Sequence, residues 1–458
     1  MLSIDEHVIT AQQINSKFER FSNAPHLDPE KGSVAVCIES TVDWLSLCFY
    51  AKEHGLTVMP IHASTPESLA RKYAEKAGCY TLLYGTLENV ICIPENEQQD
   101  TAPGLIQMSS GTTGEPKSIK RSWRSIDQEV AAYVAHFTAP NSMSPVIACP
   151  ITHSYGLICG IFVGLARGKH PRVFTSINPK HLLKTLLTLD KPLLYSSPSM
   201  IETVCMLWPK NSKLHAVMTS GTLMSAPVFS RTKAKVNHFF QQYGCSEAGC
   251  VAISEYVDNT NTIGEVLGHL EVEAGESLAA PAEIVINVKQ PLDGQCAKIH
   301  TNDLGYFDNR KGKKQLHFVA RQDDTIIVSG LNVYPKDVED VVLTHPDIHD
   351  AVLFKMPVKH AGYRAYLQYC ANHQFTADDK ASFKVWCHNH LAAYQVPFDF
   401  IQVDSITRLP NGKVNRKAIA NAYLSRIDTL SMLQTKRVTQ SATGKASSEK
   451  ALSEKVPS

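Results

Sequence analysis

From Gly32 to about Val257 the chain alternates short apolar, β-branched runs with segments of helical period, and this alternation is its strongest constraint on fold. Ser33 to Ile38 has the continuous apolar texture of a strand buried on both faces, and Val42 to His54 has helical period. Leu56 to Ile61 is again a strand and Pro66 to Ala77 again a helix. The pattern resumes with a helix from about Ile126 to Phe137, a strand at Val146 to Cys149, and helices over Tyr155 to Leu165 and Lys180 to Leu189. Strand, helix, strand in this order builds right-handed βαβ units on a mostly parallel sheet, because parallel neighbours need a crossover that packs back on the sheet. The expected fold class is therefore α/β, with ligands held at loops beyond the carboxyl ends of the strands.

Two changes of texture follow. From about Ile263 to His317 the chain turns strand-rich, with Glu283 to Val288 and Leu316 to Val319 the clearest strands, which predicts a small β subdomain. Beyond it, helices at Val333 to Thr344 and Ala377 to Leu391 enclose strands at Ala351 to Phe354 and Tyr366 to Tyr369, a compact α+β module. After Ser425 the aromatics stop and Ser, Thr and Lys dominate. The expected organisation is a large domain over 1–322, a small domain over 323–427 and a disordered tail over 428–458.

Composition excludes several classes of function. Lys plus Arg (45) nearly cancels Asp plus Glu (44), so no global field favours nucleic acid or an anionic membrane. No apolar run approaches the ~18 residues of a spanning helix, and the amino terminus lacks a basic segment followed by an apolar one. The twelve cysteines form no CxxC pair in a chain large enough to fold without disulfides. The reading is a cytoplasmic protein with buried thiols.

The apolar segment Gly104 to Met108 runs directly into Ser109-Ser110-Gly111-Thr112-Thr113-Gly114-Glu115-Pro116-Lys117. Glycines let backbone N–H groups approach anionic oxygens closely, and hydroxyls and a lysine complete a cradle suited to a polyphosphate. The lysine follows proline, so this is not the GxxxxGK[ST] loop of nucleotide hydrolases.

Four further segments follow at long spacings. Gln242-Tyr243-Gly244-Cys245-Ser246-Glu247 places an aromatic, a hydroxyl and a carboxylate on what reads as one short turn. Thr301-Asn302-Asp303-Leu304-Gly305-Tyr306 reads as a turn bearing an aspartate. Ala320-Arg321-Gln322-Asp323-Asp324 leads into Ser329-Gly330-Leu331, and Leu409-Pro410-Asn411-Gly412-Lys413-Val414-Asn415-Arg416 puts a lysine on a glycine turn.

In order and spacing these five motifs resemble the superfamily of adenylate-forming (ANL) enzymes, which contains acyl- and aryl-CoA synthetases, peptide-synthetase adenylation domains and firefly luciferase. The resemblance covers roughly residues 30 to 425. It implies a large amino-terminal domain of α/β layers with a β subdomain, and a mobile carboxy-terminal domain. The implied reaction joins a carboxylic acid to AMP, releases pyrophosphate from ATP with Mg²⁺, and passes the acyl group to a thiol. That thiol belongs either to CoA or to the phosphopantetheine of an acyl carrier protein, with CoA the leading reading.

The resemblance also implies roles. Ser109, Ser110, Gly111, Thr112, Thr113, Gly114 and Lys117 match the phosphate loop. Glu247 matches the magnesium ligand, and Ser246 a phosphate-contacting hydroxyl. Tyr243 and Gly244 match the adenine platform, with Gly221 and Thr222 opposite. Asp303 matches the ribose acceptor, and Arg321 a cation for ribose or phosphate. Lys413 matches the lysine that bridges the attacking carboxylate and the α-phosphate. Asp323 matches the hinge, and Gly330 the loop offered to pantetheine. Pro150-Ile151-Thr152-His153-Ser154-Tyr155-Gly156 resembles a PxxHxxG segment, in which His153 matches the position whose ring closes the acyl tunnel or contacts the acid, and Tyr155 and Gly156 are expected among the pocket walls. Met108, Ser118, Asn302 and Ala320 depart from the family pattern without removing a functional side chain, and Ile327 stands where many members carry lysine, although Asp-Asp-x-Ile-Ile recurs among aryl-CoA ligase-like members.

Overall fold

The computed structural model describes residues 1–94, 102–109, 117–175, 178–310, 312–328, 331–358, 362–409 and 413–426. The tail expected over 428–458 lies outside the described residues, as do Ser110 to Gly114 and Gly330. The chain separates into two compact units. The first comprises Met1–Asp323 with Asn411–Lys413, and the second begins at Asp324 and takes in the described residues from Val414 onward.

The first unit is built on two sheets. Among the described residues the smaller has six strands, in the order Val90–Cys92, Cys79–Gly85, Ser33–Ile38, Thr57–Pro60, Gly104–Ser109 and Lys117–Ser122. Its four central strands are parallel and the two edge strands antiparallel. The larger has thirteen, and its parallel part runs Val236–Cys245, Leu214–Thr219, Pro192–Ser196, Ser144–Ala148, Arg172–Val173 and Leu2–Ile4. Antiparallel strands extend it through Gly249–Ser254 and Thr262–Val266 into the β subdomain.

Side-chain alternation decides which layer each strand feeds. Leu193, Tyr195, Ala216, Met218 and Phe240 enter the core between the two sheets, where they meet Leu45 and Leu47 of helix Thr41–His54 and Ile126 and Tyr133 of helix Trp123–His136. The intervening Leu194, Val217 and Phe239 face outward against Leu182, Ile201 and Phe229. Strands apolar on both faces thus sit between helical layers, and their continuous apolar runs follow from that. Serine caps start several of these helices. Ser40 and Ser122 accept from the backbone N–H groups of Asp43 and Ser125, so each helix begins where its strand-to-helix loop ends.

Three sequence expectations change form. The helix expected over Tyr155 to Leu165 is a π-helix over Tyr155–Phe162 followed by a short α-helix at Val163–Ala166. Two glycines sit on its packed face. A Cβ at Gly156 would lie 2.6 Å from the Pro150 carbonyl oxygen, and one at Gly160 2.7 Å from the Ile147 side chain. The expected turn at Thr301 to Tyr306 lies inside the long strand Lys298–Arg310. Asn302 takes a left-handed φ of 56° there, and the register slips between Leu304 and Gly305. Local turn chemistry is real at this point, but pairing on both sides absorbs it as a bulge. Finally, Tyr243, Gly244 and Cys245 end the strand Val236–Cys245, and only Ser246 and Glu247 belong to the turn.

The second unit is an α+β module. Ile348–Val358, Gly362–Ala371 and Asp399–Gln402 form a three-stranded sheet covered by helices Pro335–Val342 and Ala377–His390, around Val338, Leu353, Leu367, Tyr369 and Phe383. Arg416 is clamped inside this unit. It donates to the Leu353 carbonyl at 2.9 Å and pairs with Glu339 at 2.7 Å and Asp324 at 3.1 Å.

Candidate active site

Several of the residues singled out by sequence lie at or just beyond carboxyl ends of strands in the first unit. Ser109 closes one strand and is paired in register with Lys117, which opens the next, so the hydroxyl-rich segment 110–116 joins the two ends of an antiparallel pair. His62 follows the neighbouring strand Thr57–Pro60. On the larger sheet, His153 follows Ser144–Ala148, Gly221 and Thr222 follow Leu214–Thr219, and Tyr243 to Glu247 close Val236–Cys245.

Tyr243, Asp303 and Arg321 form one cluster. The Tyr243 hydroxyl donates to Asp303 Oδ2 at 2.6 Å, and Arg321 Nη1 stands 3.3 Å from Asp303 Oδ1. Asp303 and Arg321 are cross-strand partners, which places carboxylate and guanidinium on the same face. Asp303 is buried, and its Oδ1 takes no hydrogen bond among the described residues. Burial raises its carboxyl pKa, against the lowering effects of Arg321, Tyr243 and Lys413. A buried carboxylate that keeps an unbonded acceptor oxygen carries a desolvation penalty, which a ligand hydroxyl would relieve. Arg321 continues to Asp323, its Nε donating to Oδ1 at 3.1 Å.

Lys413 belongs to this cluster by contact. A Cβ built on Gly221, which has a left-handed φ of 79°, would lie 3.9 Å from Lys413 Cε. The lysine is accessible to solvent, yet surrounding protein and then the Arg321 guanidinium lower its pKa, while Asp303 and Cys245 raise it. An accessible group that is nonetheless desolvated stands in a cleft rather than on an open face. His153 is in the same position: its ring is accessible, and burial, then His62 and Lys413, hold its pKa down, so it is neutral at pH 7.

Ser246 and Glu247 are half-buried on the turn after Cys245. The Cys245 thiol is pushed up to about 12, by burial first and then by the adjacent Glu247 carboxylate. Gly244 permits the hairpin, because a Cβ there would collide with the Gly249 carbonyl oxygen. Among the described residues no three His, Cys, Asp or Glu side chains form a metal cage. A lone carboxylate still fits Mg²⁺, a cation that keeps waters and shares its coordination with phosphates. Two open grooves lie elsewhere, one of about 500 Å³ beside Glu265, Phe307 and Lys314 and one of about 470 Å³ beside Phe229 and Lys233. Neither is lined by a residue of the cluster.

Sequence reading missed the supports behind the turn. Arg121, buried on the strand after Lys117, pairs at 2.7 Å with Glu129, which is wholly buried on helix Trp123–His136. Glu129 Oε1 accepts the backbone N–H of Cys250 at 2.7 Å, and Gly249 turns with a left-handed φ of 75° against both side chains. A signal was present: Glu129 falls on the buried stripe Ile126, Val130 and Tyr133 of its helix. Gln107, buried in the strand that leads into the hydroxyl-rich segment, was also passed over.

A family model described as AMP-binding enzyme matches residues 3–277. Among curated relatives, a 3,4-dihydroxybenzoate–aryl-carrier protein ligase of Bacillus anthracis is 31% identical over 422 residues, covering 92% of this chain and 98% of its own. A putative long chain fatty acid-CoA ligase, VraA of Staphylococcus aureus, is 22% identical over 443 residues, covering 92% and 95%. Among solved structures, the O-succinylbenzoate CoA synthetase MenE of Bacillus subtilis, in complex with ATP and magnesium ion, superposes with a TM-score of 0.75 at 18% identity, covering 91% of this chain and 95% of that one. The chain belongs to the AMP-binding enzyme family and is, with the other adenylate-forming (ANL) enzymes, an AMP-forming ligase.

Proposed function

We propose that this ligase activates a compact aryl carboxylic acid with ATP and transfers the resulting aroyl group to the phosphopantetheine thiol of a carrier protein. The observation that carries the nucleotide part is the cluster of Tyr243, Asp303, Arg321 and Lys413. It brings together an aromatic ring, a buried carboxylate with an unbonded acceptor oxygen, and two cations. In this reading the ring of Tyr243 borders the adenine, Asp303 accepts ribose hydroxyls, and Arg321 reaches ribose or phosphate. Glu247 supplies an oxygen ligand to Mg²⁺, whose chemistry is to neutralise phosphate charge. The acid oxygen attacks the α-phosphorus, the bond to the β-phosphate oxygen breaks, and pyrophosphate leaves with its electron pair. Lys413 holds positive charge between the attacking carboxylate and the α-phosphate. Asp323, where the first unit ends, is the hinge of this reading. The second half-reaction forms the thioester bond as the thiol sulfur displaces AMP.

Tyr155 supports the choice of acid. Its hydroxyl donates to the Met218 carbonyl at 2.5 Å and lies 3.4 Å from that of Ser196, so the ring bridges the carboxyl ends of two adjacent strands. In this reading the ring closes the acid pocket at those strand ends, and a long acyl chain would have to displace it. Tyr155→Ala should therefore lower kcat/KM for a dihydroxybenzoate by about 10–200-fold and improve use of medium-chain acids, as hydroxamate trapping would report. Unchanged acid selectivity would remove Tyr155 from the pocket wall.

The acceptor rests on the relative at 31% identity, an aryl-carrier protein ligase that matches almost end to end. CoA is the second reading, supported by relatives such as VraA at 22%. Supplying ATP, a dihydroxybenzoate and either CoA or a phosphopantetheinylated aryl-carrier protein separates the two. Thioester on the carrier with little aryl-CoA supports the proposal, and aryl-CoA with an unloaded carrier replaces it. All twelve cysteines are free, and among the described residues no helix is long and apolar enough to cross a membrane. We place the reaction in the cytoplasm, where ATP is plentiful and thiols stay reduced.

A further inference from the structure

We infer that Gln107 is a positioning residue for the acid-contacting histidine, tying the Thr152 carbonyl and the Ser154 hydroxyl on either side of His153 to the strand that leads into the phosphate loop. Gln107 is 6% exposed on strand Gly104–Ser109, two residues before the strand ends. Its carboxamide is used at both ends. Nε2 donates to the Thr152 carbonyl at 3.3 Å, and Oε1 accepts from the Ser154 hydroxyl. Thr152 and Ser154 flank His153, so one side chain grips that segment as a two-point clasp. The amide orientation is determined by the Thr152 carbonyl. Turning the amide over would set carbonyl oxygen against carbonyl oxygen, whereas the serine hydroxyl can serve either end.

The clasp has a consequence for the site. On the amino-terminal side His153 N is 3.4 Å from the Pro150 carbonyl, and on the other side the His153 carbonyl accepts from Leu157 N–H at 3.0 Å. With Thr152 and Ser154 also held, the peptide of His153 has little freedom, and its accessible ring stays toward Lys413 and His62. The same strand ends at Ser109, the first residue of the hydroxyl-rich motif and the register partner of Lys117. Gln107 therefore joins the element that precedes the nucleotide loop to the element that carries the acid contact. This rests on the reading that His153 touches the acid.

The test uses the full-length enzyme in ATP–pyrophosphate exchange. Gln107→Leu keeps the side chain's bulk and removes both hydrogen bonds. It should raise KM for the acid about tenfold while KM for ATP stays within twofold. In a His153→Ala background the same change should add nothing further, because its effect runs through the histidine. Ser154→Ala opens one end of the clasp and should give a smaller rise with the same split, which keeps the test decisive if Gln107→Leu folds poorly. If His153→Ala raises KM for the acid and neither clasp variant does, the reading of His153 stands and the clasp is wrong. A rise in KM for both substrates, or an additive effect in the double variant, also overturns it. If His153→Ala leaves KM for the acid unmoved, the reading of His153 fails and the clasp fails with it.

Discussion

Lys413→Ala should lose acid-dependent ATP–pyrophosphate exchange by about 10²–10³, the scale of removing one preorganised charge partner from a developing oxyanion. Thiolysis of supplied aryl-AMP should largely survive. The expectation follows from what surrounds the lysine. Arg321 and Asp303 are its charged neighbours, and Gly221 leaves room beside its Cε. Desolvation lowers its pKa and so makes the charge costly to hold there without an anion. A carboxylate approaching an α-phosphate brings that anion, and the lysine interacts most strongly as charge accumulates in the transition state. Lys413→Arg keeps the charge but spreads it over a planar fork, and should recover only part of the rate. The two half-reactions can be measured separately, by exchange of labelled pyrophosphate and by thioester formation from synthetic aryl-AMP. Equal loss of both would move Lys413 out of the adenylation step.

Much of the fold was legible because the large unit is layered. A strand buried on both faces must be apolar throughout, so Ser33–Ile38 and Ser144–Ala148 announced themselves, as did helix Thr41–His54. Lys117–Ser122 did not, because its sequence KSIKRS lies at a sheet edge and pairs on one side only. Helical period also cannot separate an α-helix from the π-helix at Tyr155–Phe162, since both present one apolar side when the segment is wholly buried. The site shows the same division. Tyr243, Glu247, Asp303, Arg321 and Lys413 could be singled out as candidates because the order and spacing of their motifs together resemble one family, whereas each motif alone reads as an ordinary surface turn. That Asp303 lies within a strand, with Asn302 left-handed beside it, depends on pairing with the strands before and after it in the chain, which the turn-like residues of the motif conceal. Gln107 and Glu129 act through partners 45 and 121 residues away, and a linear reading has no term for such contacts.

Glu129→Ala should be the most destabilising single change near the site, by about 3–5 kcal/mol, because it leaves the Arg121 guanidinium buried without its counter-charge. His269 beside it is held down to about 4, by burial first and then by Arg121 and Lys289, which shows that the positive charge of Arg121 is felt in this buried neighbourhood even with Glu129 in place. The Cys250 N–H would lose its acceptor as well, at the hairpin where Gly249 adopts its left-handed turn. With two compact units a single unfolding free energy is not well defined, so the measurement is the shift of the first unit's thermal transition. Glu129→Gln separates the two losses. It keeps an acceptor for Cys250 and removes only the charge, and should therefore fall between Ala and the parent protein. The double change Arg121→Met with Glu129→Leu should recover most of the stability, since replacing both ions by apolar side chains of similar bulk removes the desolvation cost along with the attraction. The recovered protein should still show a raised requirement for Mg²⁺, because the Ser246–Glu247 turn would have lost the hydrogen bond that anchors its hairpin at Cys250. A stable double variant with unchanged Mg²⁺ dependence would limit the buried pair to holding the core together.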